Sequence, residues 1–137
     1  MGSRRRAREL ALQLLYQYEL TGAEPEAMQA EFEEWRGATD GVRDFADALL
    51  RGTLEHFEEI DGELERQTAH WRLDRLAAVD RNILRLAMYE LLYNSDTPHA
   101  VVIDEAIEIA KKFGAVESPK FVNGVLDGFV RRRAPAS

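Results

Sequence analysis

The sequence predicts an all-α protein, compact, with six to seven helices. Three observations carry that class. Apolar residues recur at spacings of three and four through every long segment, and Gly, Pro, Ser and Asn clusters stand where those stripes stop. No segment alternates apolar and polar residues as a half-buried strand requires; Val101-Val102-Ile103 is too short and continues with helical spacing.

Each element follows from its own pattern. Residues 4 to 20 place Ala7, Leu10, Ala11, Leu14, Leu15 and Tyr18 on one stripe, and Gly22 is the stop signal. A short helix starts at Pro25, turns Met28, Phe32 and Trp35 inward, and breaks between Gly37 and Gly41. Asp40 is the candidate cap of the next helix, with Val42, Phe45, Ala46, Leu49, Leu50, Leu54 and Phe57 on its buried stripe. Another continues past Ile60 and Leu64 toward Trp71, with a kink expected near Asp61. Asp74 is expected to cap a long helix that buries Leu76, Val79, Ile83, Leu86, Ala87 and Leu91. After the turn cluster Asn94-Ser95-Asp96-Thr97-Pro98, a helix runs from about His99 to Phe113 and Gly114 closes it. Ser118-Pro119 then opens the last helix, filled by Phe121, Val122, Val125, Leu126, Phe129 and Val130. With no long linker and no repeat, the chain reads as one domain over residues 1–137.

Composition narrows the function. Zero cysteines exclude a disulfide framework, a thiolate nucleophile and a zinc finger. No apolar run approaches the roughly 20 residues that span a bilayer, and the start lacks the apolar region of a signal peptide, so the expected location is the cytoplasm. His56, His70 and His99 are scattered, no Gly-rich phosphate loop or GxSxG occurs, and the adjacent acids Glu58-Glu59 and Asp104-Glu105 point to different sides of a helix. These absences speak against an enzyme and predict neither a metal nor a cofactor.

Charge speaks for a binding module. The formal net charge is −7, yet the first eight residues hold Arg4, Arg5, Arg6 and Arg8 and no acid. Residues 19 to 65 carry fifteen acids against three bases, so phosphate is repelled from the middle of the sequence and the two ends and the second half must supply any anion-binding surface. On a helix Arg4, Arg8, Leu12 and Tyr16 form one ridge, expected to flank the buried stripe. Arginine forks fit phosphate, and Tyr16 is placed to stack on an unpaired base. The bland alternative is a solvated basic end that pairs with the acidic middle. Ser118 to Gly124 offer a second surface: a helix start for phosphate, Lys120 for charge, and Phe121 either for stacking or for core packing with Val125. Arg81 and Arg85, one turn apart, form a basic strip or an internal ion-pair ladder, with the polar residues of their helix expected to face solvent.

Three ordered blocks then carry a family resemblance: Arg4-Arg5-Arg6-Ala7-Arg8-Glu9-Leu10-Ala11; Asp80 through Leu91; and Ile103 through Gly114 followed by Lys120-Phe121-Val122-Asn123-Gly124-Val125-Leu126. In these the chain resembles the NusB family of bacterial transcription antitermination factors over nearly its whole length. The resemblance implies two small helical bundles packed together, here about residues 4–70 and 72–131. It implies binding of single-stranded boxA-type RNA in nascent ribosomal RNA transcripts, jointly with the small-subunit ribosomal protein NusE, in a complex on RNA polymerase. It assigns Arg4, Arg5, Arg6, Arg8, Tyr16, Lys120 and Phe121 to the RNA surface, and Asp80, with Arg81 beside it, to the protein partner. A related domain precedes certain ribosomal RNA cytosine methyltransferases; the absence of a cofactor domain here favours the stand-alone factor. Residues 22 to 41 match the family poorly and receive no function. A non-RNA helical adaptor, or a homodimer, is the competing class.

Overall fold

The computed structural model describes residues 2–68 and 72–133. Among these residues every regular element is helical: α1 (Ser3–Thr21), α2 (Pro25–Glu31), α3 (Glu33–Arg36), α4 (Asp40–Glu55), α5 (Phe57–Gln67), a 3₁₀ turn (Leu73–Arg75), α6 (Ala78–Tyr93), α7 (His99–Phe113) and α8 (Ser118–Arg133). That is eight α-helices where six to seven are expected. The extra one arises because Phe32 takes an extended conformation (φ −95°, ψ 107°) and divides the segment 25–36 into α2 and α3. His70 and Trp71 lie outside the described residues. No described helix is long and apolar enough to cross a membrane.

The helix ends show where local chemistry decides. Gly22 closes α1 in the left-handed region (φ 69°), its N–H donating to the Tyr18 carbonyl at 2.7 Å, as the stop signal requires. Thr39, not Asp40, caps α4, its hydroxyl accepting from the Val42 N–H at 3.3 Å. The break between α4 and α5 falls at His56, and Asp61 lies inside α5. Asp74 sits in the 3₁₀ turn, paired with Arg72 at 3.1 Å, so α6 starts three residues later than a cap at Asp74 implies, at Ala78. Ser118 is the first residue of α8, and its hydroxyl accepts from the Ala115 N–H at 2.9 Å.

The core is continuous. The α1 stripe of Ala7, Leu10, Ala11, Leu14 and Leu15 is buried, packed chiefly on α4, where Val42, Ala46, Leu49 and Leu50 are buried in turn. Helix α6 is the hub and touches α1, α4, α5, α7 and α8. A helix so surrounded buries more than one stripe: Asn82 through Met88, then Glu90 and Leu91, are all inside. This corrects the expectation that its polar residues face solvent. Asn82, Arg85 and Glu90 are buried, and each must find a partner there.

Candidate nucleic-acid interface

Helix α1 opens with its arginines in four different situations. Arg4 is exposed, its guanidinium over the Phe45 ring at 4.2 Å. Arg5 donates through Nε and Nη2 to the two oxygens of Glu105, at 2.8 and 3.0 Å. Arg6 reaches Glu9 at 3.3 Å and stays 41 % exposed. Arg8 is buried: Nε and Nη2 each hold one oxygen of Glu90 at 2.9 Å, across α1 and α6. Its fork is closed inside the protein and presents no edge to a phosphate. The expected ridge is corrected accordingly, because Arg8 and Leu12 are buried and only its ends, Arg4 and Tyr16, reach the surface. The arginines do pair with the chain's own acids, but with Glu9, Glu90 and Glu105, none of them in the acidic middle.

The end of α7 closes on this face. Lys112 binds Glu9 of α1 through both carboxylate oxygens, at 3.2 and 3.3 Å, so Glu9 lies between Arg6 and Lys112. Phe113, next in the chain, lines a groove of about 700 Å³ together with Leu12, Gln13, Tyr16, Met28 and Phe32. Tyr16 stands at that groove 39 % exposed, and the Gln13 side-chain oxygen is buried without a hydrogen-bond partner. Gly114 then lets the chain turn tightly into α8. A Cβ there would lie 2.6 Å from the Ser118 Cβ and 2.9 Å from the Ala110 carbonyl oxygen. The start of α8 is thereby fixed against the end of α7, which is itself fixed to α1. Lys120 is exposed in the first turn of α8, and Phe121 is half-buried and packed against the core.

Sequence reasoning left Lys112 and Val116 without a role. The Lys111-Lys112 pair lies within the third family block, but its contact with Glu9 spans 103 residues and has no local signal. Val116 is 93 % exposed in the connection between α7 and α8, an apolar side chain offered to solvent.

The second expected surface, at the start of α6, divides. Asp80 is half-buried, with its Oδ1 enclosed and without a hydrogen-bond partner. Arg81 is committed to the fold: Nε and Nη2 donate to Glu19 at 2.8 and 2.9 Å, and Nη1 to the carbonyls of Leu76 at 2.7 Å and Leu73 at 3.2 Å. Arg85 grips Asp61 at 2.8 and 3.0 Å and Glu19 at 3.0 Å, so the ladder reading holds over the basic strip. Burial alone would raise the Glu19 pKa, but hydrogen bonds from Arg81, Arg85 and Asn82 outweigh it and bring the carboxyl to about 2.

The chain has relatives among known proteins. The model of the NusB family matches residues 5–131. The chain is 48 % identical over 128 residues to the transcription antitermination protein NusB of Geobacter sulfurreducens, covering 93 % of each chain. It is 50 % identical over 131 residues to that of Desulfitobacterium hafniense, covering 93 % of this chain and 88 % of the relative. Its fold is similar to that of T. maritima NusB, with a TM-score of 0.84 at 42 % identity over 96 % of this chain and 93 % of that one. It is similar as well to a chain in a crystal structure of antitermination factors NusB and NusE in complex with dsRNA, with a TM-score of 0.85 at 31 % identity over 96 % and 98 %. An all-helical core built around α6, a basic start to α1 and a match across both ends place this chain in the NusB family.

Proposed function

We propose that the protein is a transcription antitermination factor that binds single-stranded boxA-type RNA of nascent ribosomal RNA transcripts together with NusE, as part of an RNA polymerase complex. It works in the cytoplasm, where the transcript emerges, and acts by binding and not by catalysis. The observation that carries the reading is the bridge from α1 to α7: Lys112 holds Glu9, Phe113 and Tyr16 line one groove, and Gly114 leads from the end of α7 into the start of α8. Arg4, Arg5, Arg6 and Lys120 supply the positive charge for the backbone, which sets affinity and register. Tyr16 and Phe121 supply aromatic faces for bases, a contact that needs unstacked bases and so favours a single strand over a duplex. Arg8 enters as a positioning residue, since it fixes α1 on α6 and thereby the direction of the other three arginines.

Asp80 belongs to the protein-partner side of this reading, with Arg81 holding the first turn of α6 in place. The eight helices are read as two small bundles, about residues 4–70 and 72–131, within one domain. Anisotropy titration of a labelled boxA-type strand tests the RNA surface. Arg4→Ala together with Lys120→Ala is expected to weaken binding about ten-fold or more at low salt for any sequence, while Tyr16→Ala chiefly narrows the preference for boxA over a scrambled strand. Unchanged binding in both variants contradicts the assignment.

A further inference from the structure

One arginine fork of the proposed RNA surface is already occupied by the protein's own carboxylate. Arg5 presents Nε and Nη2, one whole edge of its guanidinium, to the two oxygens of Glu105 at 2.8 and 3.0 Å. That is the geometry in which arginine takes a phosphate. The pair is open, with side-chain exposures of 38 % for Arg5 and 18 % for Glu105, unlike Arg8 and Glu90 at 7 % and 2 %. Buried pairs are costly to break, whereas exposed ones contribute little and exchange partners readily. Glu9 and Glu108 add to the negative field at Arg5, so this part of the basic patch carries its own counterions.

We propose that Glu105 is a built-in competitor for RNA phosphate at Arg5, and that it sets how tightly and how selectively the patch binds. This rests on the RNA reading above. A lone phosphate or a mononucleotide gains one contact and must displace a carboxylate held at high effective concentration. A strand that engages Arg4, Arg6 and Lys120 at the same time delivers its next phosphate to Arg5 at an effective concentration of its own. The competitor therefore discriminates a polyanion from the small anions of the cell. The Arg5 hydrogen bonds hold the Glu105 carboxyl below its ordinary range, so it stays ionised and competing at neutral pH. On displacement Glu105 recovers a solution cation, which offsets part of the counterion release that drives binding.

Glu105→Gln keeps the shape and an acceptor oxygen for Arg5 but removes the charge. Titration of a labelled boxA-type strand across a salt series, with inorganic phosphate as a competitor, reads the consequence. Expected are about two- to five-fold tighter RNA binding at low salt, the range spanned by one surface ion pair, and a log K against log salt slope steeper by up to about 0.7. Inorganic phosphate is expected to inhibit the variant at lower concentration than the wild type. Glu58→Gln, an equal charge change at an exposed acid of α5, is expected to leave affinity unchanged. Weaker or equal RNA binding by Glu105→Gln, or an equal gain from Glu58→Gln, overturns the inference while the RNA reading stands. If neither wild type nor Glu105→Gln binds RNA, the RNA reading falls and this inference with it.

Discussion

Arg8 and Glu90 meet from positions 82 residues apart, and each is enclosed once they have met. Removing one leaves the other as an unpaired charge away from water, which costs about 3–5 kcal/mol. Arg8→Ala is therefore expected to lose stability on that scale in urea denaturation, and Arg8→Met with Glu90→Leu to regain most of it. Arg4→Ala, which gives up an exposed contact with the Phe45 ring, is expected to cost at most about 1 kcal/mol. At this scale the sequence was legible in part. Helical spacing puts Arg4, Arg8, Leu12 and Tyr16 in one row, but spacing does not say how deep the row lies. A charged residue is read as surface until its distant partner is known, and nothing near Arg8 announces Glu90. Lys112 is the same case, its partner Glu9 being equally remote in sequence.

Helices are legible where their ends carry chemistry and obscure where they do not. Gly22, Pro25, Gly114 and the Ser118-Pro119 pair mark boundaries that the fold respects. Phe32 and His56 interrupt helices although neither is a glycine or a proline, so their residue types give no local signal of a break. Asp74 has the chemistry of a cap yet sits in the 3₁₀ turn before α6. The junction of α7 and α8 is the element on which the proposed RNA surface depends. Gly114→Ala pushes a methyl group to 2.6 Å from the Ser118 side chain and 2.9 Å from backbone oxygen, so relief requires moving the start of α8. Expected are a loss of about 1–3 kcal/mol in thermal or urea denaturation and weaker RNA binding through displaced Lys120 and Phe121. Wild-type stability in this variant contradicts the close-packed junction.

Across the whole molecule, the cluster of Glu19, Asp61, Asn82, Arg81 and Arg85 ties α1, α5 and α6 together, and it makes stability depend on acid. The folded state holds Glu19 at about 2 against an ordinary 4.5. A depressed carboxyl stabilises fully above its unfolded pKa and loses that contribution as pH falls through the folded one. The window of loss is thus about 4.5 down to 2. Urea midpoints of wild type and Glu19→Gln are expected to differ at pH 6 and converge toward pH 2, whereas a constant gap would mean that charge is not what Glu19 contributes. The all-helical class and most of the apolar core were legible from periodicity, but the buried face of α7 (Val102, Ala106, Ile109 and Ala110) and the second stripe of α6 (Leu84 and Met88) were not. The polar network was not, because it joins helices whose order in space no pattern of one sequence encodes. In the proposed function, one face built from the starts of α1 and α8 holds a single-stranded transcript. The most direct test is the affinity for a boxA-type strand against a scrambled strand of equal length, across a salt series and with and without NusE. Tighter binding of boxA, strengthened by NusE, with a log–log salt slope of about −2 to −3 from three or four phosphate contacts, is the predicted result. Equal affinity for both strands and a slope indistinguishable from zero would contradict it.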